Sequence, residues 1–186
     1  MAVSAKEIDP GELTVRVTAM RRRHLRGVLH IENQVYPKPW SMGLFMGELA
    51  LRHSRVYAVA RVGPRVVGYA GMMFAVDEGH ITTVAVDPVW HRHKIGTRLL
   101  VHTLRASLDR GAKAFTLEVR VSNDGAQAMY RSFGFAPAGV RKNYYSEINE
   151  DALIMWAHDV DTPEYAARLD ALEAAIPGQT IVEGLS

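Results

Sequence analysis

Hydrophobic residues alternate at Leu13, Val15 and Val17, the two-residue period of a half-buried strand. The spacing then changes to Leu25, Val28, Leu29 and Glu32, one face of a helix running through an arginine-rich segment. That helix is expected to end before Pro37. In Tyr36-Pro37-Lys38-Pro39-Trp40 each proline lacks an amide hydrogen and restricts its predecessor, so the segment reads as a rigid loop. Ser41 is placed to cap a second helix reaching Leu49. From Arg55 to Val86 the pattern predicts a meander of antiparallel strands: Val56 to Val59, a turn at Gly63 and Pro64, Val66 to Val76, then His80 to Val86. Ile95, Leu99, Leu100, Thr103 and Leu104 mark an amphipathic helix that Gly111 can end. Phe115 to Val121 alternates again as a strand. Ala126, Met129, Tyr130 and Phe133 share a helical face closed by Gly134, and further strands are expected around Val140 to Tyr145 and Ala152 to Trp156. The alanine-rich stretch from Thr162 to Ile176, with Tyr165, Leu169, Leu172 and Ile176 on one side, reads as a surface helix stopped by Pro177 and Gly178. The pattern is mixed α/β, with a strand-helix-strand centre.

The length of 186 residues and a hydrophobic share of 48% suit one domain with a sizeable core, followed by a tail. With no cysteine, disulfides, thiolate zinc sites, iron-sulfur clusters and a cysteine nucleophile are all excluded. The longest apolar runs, Tyr69 to Val76 and Ala152 to Ala157, fall far short of the ~20 residues a membrane helix needs. The amino end lacks a basic-then-apolar signal pattern, so a cytoplasmic protein with no membrane partner is expected. Charge divides unevenly. Residues 1–146 carry 21 Lys and Arg against 11 Asp and Glu, whereas residues 147–186 carry one against nine. A basic body attracts anions, which include nucleic acid, an RNA-rich particle or a phosphorylated cofactor, and only a local motif decides among them.

The most informative segment is TTVAVDPVWHRHKIGTRLL, Thr82 to Leu100, in which a strand passes through a short basic bend directly into a helix. Such a helix start presents unpaired amides and the positive end of the macrodipole, and Arg92 and Lys94 add mobile charge: a cradle for phosphate. An ordinary strand-to-helix turn with solvated basic side chains has the same spacing, and no GxxxxGK loop is present. In this bend the chain resembles the GNAT superfamily of N-acetyltransferases, whose acetyl-CoA loop reads Q/R-x-x-G-x-G/A. The aligned residues are His91 to Gly96. Gly96 matches; His91 and Lys94 depart, and Lys94 at the usual first glycine implies either a negative φ there or a strained backbone.

Further segments narrow the resemblance to the bacterial RimI branch: IENQVYPKPWS at Ile31 to Ser41, AVDP at Ala85 to Pro88, TLEVRVSN at Thr116 to Asn123, AMYRSFGF at Ala128 to Phe135 and RKNYY at Arg141 to Tyr145. Order and spacing agree over about residues 12–157. The resemblance implies a GNAT fold, a mostly antiparallel twisted sheet with helices on both faces, over residues 1–160. Residues 161–186 remain as an acidic helical tail without a counterpart. It also implies direct transfer of acetyl from acetyl-CoA, the cosubstrate, to the N-terminal alanine of the small-subunit ribosomal protein numbered eighteen, without a metal. The implied partner is that peptide terminus rather than nucleic acid, and the chain is expected as a monomer or weak homodimer.

Site residues carry over one at a time. Glu118, on the polar face of its strand, is a solvated glutamate by alternation and the general base by resemblance. Tyr130 is a core tyrosine by its helical face and, by resemblance, the donor that protonates the departing CoA thiolate. Backbone groups of Val84, Ala85 and Val86 are expected to pair with pantetheine and hold the thioester oxygen. Arg92, His93, Lys94, Ile95, Gly96 and Thr97 form the pyrophosphate loop. Asn123 is a helix N-cap on one reading and a CoA contact on the other. Trp40, Tyr144 and Tyr145 are core aromatics on one reading; by resemblance their segments wall the peptide groove, with Glu32, Tyr36, Trp40 and Tyr144 shaping the entry for a small first residue. His91 and His93, with no carboxylate near them, make poor zinc ligands. Two competing classes remain: a GNAT that acetylates a small amine, and a non-catalytic basic module that binds nucleic acid.

Overall fold

Strand-forming runs separated by Gly, Pro and Asp turns build one eight-stranded sheet in the computed structural model, which describes residues 8–185. The strands are β1 Thr14–Ala19, β2 Arg55–Val62, β3 Arg65–Ala75, β4 Glu78–Val86, β5 Ala114–Arg120, β6 Ala136–Tyr145, β7 Glu150–Ala157 and β8 Gln179–Glu183. Their order is β6-β7-β5-β4-β3-β2-β1-β8. The β4–β5 and β1–β8 pairs are parallel and the others antiparallel. The helices are α1 Leu25–Val35, α2 Met42–Ala50, α3 Ile95–Leu108, α4 Asp124–Ser132 and α5 Pro163–Ala174. None of the described helices is long and apolar enough to cross a membrane.

Each sheet face is covered by helices, because each carries its own apolar set. On one face Leu25, Val28 and Ile31 of α1 and Phe45 of α2 pack on Tyr57, Val59, Tyr69 and Ala85. On the other, Ile95, Leu99 and Leu100 of α3, Tyr130 of α4 with Phe133 just after it, and Tyr165 and Leu169 of α5 pack on Val15, Val17, Ala58, Met72 and Leu117. Burial of each such side chain stabilises the fold by roughly 1.5–3 kcal/mol. Ser41 caps α2 as expected, its Oγ accepting from the Leu44 amide at 3.2 Å, and Thr162 caps α5, its Oγ1 accepting from the Tyr165 amide at 3.3 Å.

Two features position the site. First, β4 and β5 pair only from Glu78↔Ala114 to Ile81↔Leu117 and then part. The parting starts at a bulge: against β3, Met72 pairs with Ile81 and Gly71 with Thr83, so Thr82 is the extra residue. A bulge increases local twist and bends its strand, here away from β5. Gly71 is required opposite it, since a Cβ at that position would lie 2.2 Å from the Tyr57 ring. Second, the tail is more than a helix. Beyond α5, β8 adds to the sheet beside β1 from Thr14↔Gln179 to Thr18↔Glu183, a strand the sequence reading leaves out. Arg98 of α3, fully buried, donates to the Pro177 carbonyl and Thr180 Oγ1 and so ties the start of α3 to the tail.

Candidate active site

Where β4 and β5 separate, both strands expose backbone that no neighbouring strand covers. The Asp87 amide donates to the Val67 carbonyl at 2.9 Å, which fixes the ladder alternation between β3 and β4. Val84 and Val86 therefore turn their amides and carbonyls into the gap, while those of Ala85 face β3. Of the three residues expected to offer backbone groups, Ala85 is corrected: its main chain is used by the sheet and its side chain is buried against α1 and α2. The Val84 carbonyl accepts from the Tyr36 hydroxyl at 3.1 Å, and the Val86 carbonyl lies 3.2 Å from His91 Nε2.

The gap opens into a cavity of ≈ 350 Å³ whose walls include Glu118, Tyr130, Val84, Asn123, Glu32, Tyr36, Trp40 and Tyr144. The structure thus gathers around one space both expected catalytic residues, the expected groove residues and two of the expected cofactor contacts. Residues 92–97 lie outside that cavity wall, in the bend after β4 and the first turn of α3. There the first helical bond is Arg98 N to Lys94 O at 2.9 Å, so the amides of Ile95, Gly96 and Thr97 have no partner from the preceding turn. Arg92 and Lys94 both adopt left-handed backbone, with φ of 68° and 58°. Of the alternatives at Lys94, the strained one is realised, at about 1–2 kcal/mol for a side chain there. Gly96 matches the need for a small residue: a Cβ would come 3.3 Å from the Met129 sulfur. The His93 ring packs edge-on to Trp90, with centroids 5.6 Å apart, and Nδ1 lies 3.0 Å from the His91 carbonyl, which leaves anion contacts to its backbone. An open strand edge leading to bare helix amides and two cations fits a long ligand with a phosphorylated end.

Within the cavity, alternation along β5 directs Glu118 inward, as its sequence pattern indicates. Its Oε2 is 3.0 Å from His80 Nε2 and its Oε1 is 3.2 Å from Arg141 Nη1. The His80 contact, reinforced by Arg141 and opposed by burial, holds the Glu118 carboxyl below the usual glutamate range. Tyr130 stands edge-on to Phe135, and burial, with Tyr36 and Tyr145 nearby, raises its phenol well above the ordinary tyrosine value. It stays protonated at any working pH. The Tyr145 hydroxyl, pushed up to about 12 chiefly by burial, reaches the Glu118 carbonyl at 3.4 Å. Asn123 caps α4, its Oδ1 accepting from the Ala126 amide at 3.1 Å, and it also lines the cavity.

Glu32 serves the groove indirectly. Its buried carboxylate accepts from the Trp40 amide at 2.9 Å and from the Tyr69 hydroxyl, clamping the proline loop to α1 and the sheet. Burial raises its pKa, with the Trp40 amide pulling the other way. Trp40 rests on Phe45, 5.3 Å between centroids, and Tyr144, 44% exposed, lies under the Arg141 guanidinium. Across the mouth Lys38 pairs with Glu147 at 3.2 Å. His80 and Arg141 are the residues around Glu118 to which sequence reasoning gave no role. His80 meets Glu118 only through the parallel register His80↔Thr116, which no local pattern encodes. Among the described residues no group of three or more His, Asp and Glu side chains gathers in a metal-binding arrangement.

The Acetyltransferase (GNAT) family model matches residues 25–135. The putative [ribosomal protein bS18]-alanine N-acetyltransferase of Bacillus subtilis is 36% identical over 140 residues, covering 75% of this chain and 93% of that protein. The N-alpha-acetyltransferase RimI of Mycobacterium tuberculosis is 36% identical over 159 residues, 83% of this chain and 95% of its own length. Among solved structures, the ribosomal-protein-S18-alanine N-acetyltransferase from Escherichia coli superimposes with a TM-score of 0.71 at 31% identity, over 78% of this chain and 94% of that one. With the parted strands, the basic bend and the Glu118–Tyr130 cavity, these matches place the chain in the GNAT superfamily of N-acetyltransferases, related to RimI and the bS18-alanine acetyltransferases.

Proposed function

We propose that the protein transfers acetyl from acetyl-CoA to the N-terminal amine of a polypeptide, with alanine as first residue and a ribosomal small-subunit protein as acceptor, in a single ternary complex. The observation that carries this reading is the cavity at the β4–β5 gap. Its walls include the Tyr36–Trp40 loop on one side and residues Tyr144 to Ile148 on the other, and the basic bend continues from β4, the strand that borders it.

Each group then has a defined task. The amides of residues 95–97, with Arg92 and Lys94, hold the pyrophosphate; the backbone of Val84 and Val86 takes the place of a strand partner for pantetheine. An amide donor at this edge stabilises negative charge developing on the thioester oxygen, worth on the order of 10²–10³ in rate. The acceptor enters as an ammonium, with a pKa of about 7.7–8.0, and must lose a proton before its lone pair attacks the acyl carbon. Glu118 supplies the negative charge that draws the amine in and favours loss of that proton. As the carbon–sulfur bond breaks, the electron pair goes to sulfur, where the Tyr130 hydroxyl donates a hydrogen bond and then a proton. The second proton leaving nitrogen restores the phenol. The balance is one amide, one thiol and one proton released.

A thiol-release assay with acetyl-CoA, run against short peptides and free amines, tests the reading. Turnover is expected with peptides beginning in alanine and none with N-terminally blocked ones. Preference for free amines over all peptides would replace this acceptor by a small molecule.

A further inference from the structure

The Lys38–Glu147 ion pair joins the two walls of the cavity. Lys38 lies on the proline loop between α1 and α2, Glu147 on the turn Ser146–Ile148 between β6 and β7, and both line the space. With side chains 79% and 41% exposed, the pair is solvated and worth no more than about a factor of five in an equilibrium constant, so an incoming chain breaks it at little cost. Its two partners are unequally held. Pro37 and Pro39 fix the backbone of Lys38, but its ammonium rides on a flexible four-carbon stem in water. Glu147 is anchored: its own amide, Lys38 and the Ser146 hydroxyl hold its carboxyl below the usual glutamate range. Lys38 is therefore the replaceable half and Glu147 the fixed one.

The other carboxylates of the wall are committed within the fold, Glu32 to the Trp40 amide and Tyr69 hydroxyl, Glu118 to His80 and Arg141. Arg120, the second cation on the wall, belongs to β5 two residues beyond Glu118, not to the loops at the mouth. A basic side chain that displaces Lys38 exchanges one cation for another and leaves Glu147 matched. An acidic one that takes Lys38 stands beside the fixed Glu147, carboxylate against carboxylate, and that juxtaposition weakens binding. Resting on the reading that a polypeptide terminus is acetylated in this cavity, we propose that Glu147 is a specificity-determining residue, which exchanges Lys38 for a lysine or arginine side chain of the acceptor shortly after its first residue. An extended peptide turns alternate side chains to opposite sides, so the recognised positions alternate along the acceptor.

The test is kcat/KM at saturating acetyl-CoA for alanine-initiated peptides, amidated at the far end and otherwise uncharged, with one Lys, Gln or Glu at the second, third or fourth position. Wild type, Glu147→Gln and Lys38→Met are compared, with melting temperature as the control for folding. In wild type the Lys peptide is expected to exceed the Gln peptide by about 2–5-fold at the best position, and the Glu peptide by about 5–20-fold, chiefly through KM. Rising salt is expected to shrink both ratios, a response that a purely structural role for the pair would not give. In Glu147→Gln the Lys peptide is expected to lose its lead. In Lys38→Met its lead is expected to grow, since the competing ammonium has gone. Equal values for the three peptides in wild type, a Lys preference that survives Glu147→Gln, or one that vanishes in Lys38→Met overturns the proposal. A small primary amine is run alongside. Turnover of that amine and of no peptide removes the acceptor reading and this inference with it, whereas turnover of every peptide at one rate removes this inference alone.

Discussion

At the scale of single residues, Tyr130 and Lys94 separate chemistry from binding. The raised pKa of Tyr130 makes it a weak acid and keeps its hydroxyl a donor, which suits the proposed role toward sulfur. Tyr130→Phe is expected to lower kcat by about 10²–10³-fold, the loss of one preorganised donor, with unchanged acetyl-CoA affinity; unaltered turnover in stopped-flow thiol detection would remove that role. Lys94 holds a left-handed φ that glycine adopts freely, yet its charge stands beside bare helix amides. Lys94→Gly is expected to weaken CoA binding in calorimetry while thermal stability holds or rises; tighter binding would show the lysine to be a defect. Strand alternation and helical spacing placed Glu118 on a polar face and Tyr130 on an apolar one; that both belong to one site came from the family resemblance, not from the periodicity. His80 was not legible, since its meeting with Glu118 depends on the register between two strands more than thirty residues apart in sequence. The indirect role of Glu32 was equally hidden, as its partners Trp40 and Tyr69 lie on other elements.

At the scale of elements, the decisive object is the bulge in β4. Thr82 is as good a strand former as Thr83, so nothing in the local pattern marks it, although the strand itself reads plainly. Gly71→Ala would push a Cβ into the Tyr57 ring opposite the bulge. A loss of about 1–3 kcal/mol is expected in urea unfolding, with activity falling further than stability because the β4–β5 gap is disturbed; equal losses would dissociate the bulge from the site. The entry turn into α1 supplies a pH test. His24 Nδ1 accepts from the Arg21 amide at 3.1 Å, and burial, with Arg23, Arg61 and Arg21 nearby, lowers its pKa to about 4. The unfolded chain takes up a proton near pH 6.5, so stability present above that pH is lost as pH falls toward 4. His24→Asn keeps an acceptor without the titration. Its melting temperature is expected to fall less than wild type between pH 7 and 5, and parallel slopes would contradict the assignment.

At the scale of the whole molecule, the charge asymmetry of the sequence resolves into local pairs rather than two opposed poles. Asp170 and Glu173 of α5 bind Arg105 of α3, and Glu183 of β8 binds Arg16 of β1. The tail lies along α3 and the sheet edge, and among the described residues none that lines the cavity lies beyond Ile148. Its helix was legible from the spacing of Tyr165, Leu169, Leu172 and Ile176. β8 was not, because its five residues are mostly exposed and follow a Pro-Gly stop. Removing residues 162–186 strips Tyr165 and Leu169 from the core and leaves Arg98 buried without partners. A drop of about 10 °C or more in melting temperature is expected, and weaker CoA binding with it, since Arg98 anchors the first turn of α3. A truncated protein with wild-type melting and affinity would make the tail an appendage. Beneath all of this lies the claim that the parted edges of β4 and β5, continued by the basic bend, receive acetyl-CoA. Titration calorimetry of the folded full-length protein with acetyl-CoA tests it most directly. Saturable binding of one molecule per chain, weakened by rising salt through the phosphate contacts, is the expected result; no uptake by well-folded protein would contradict it.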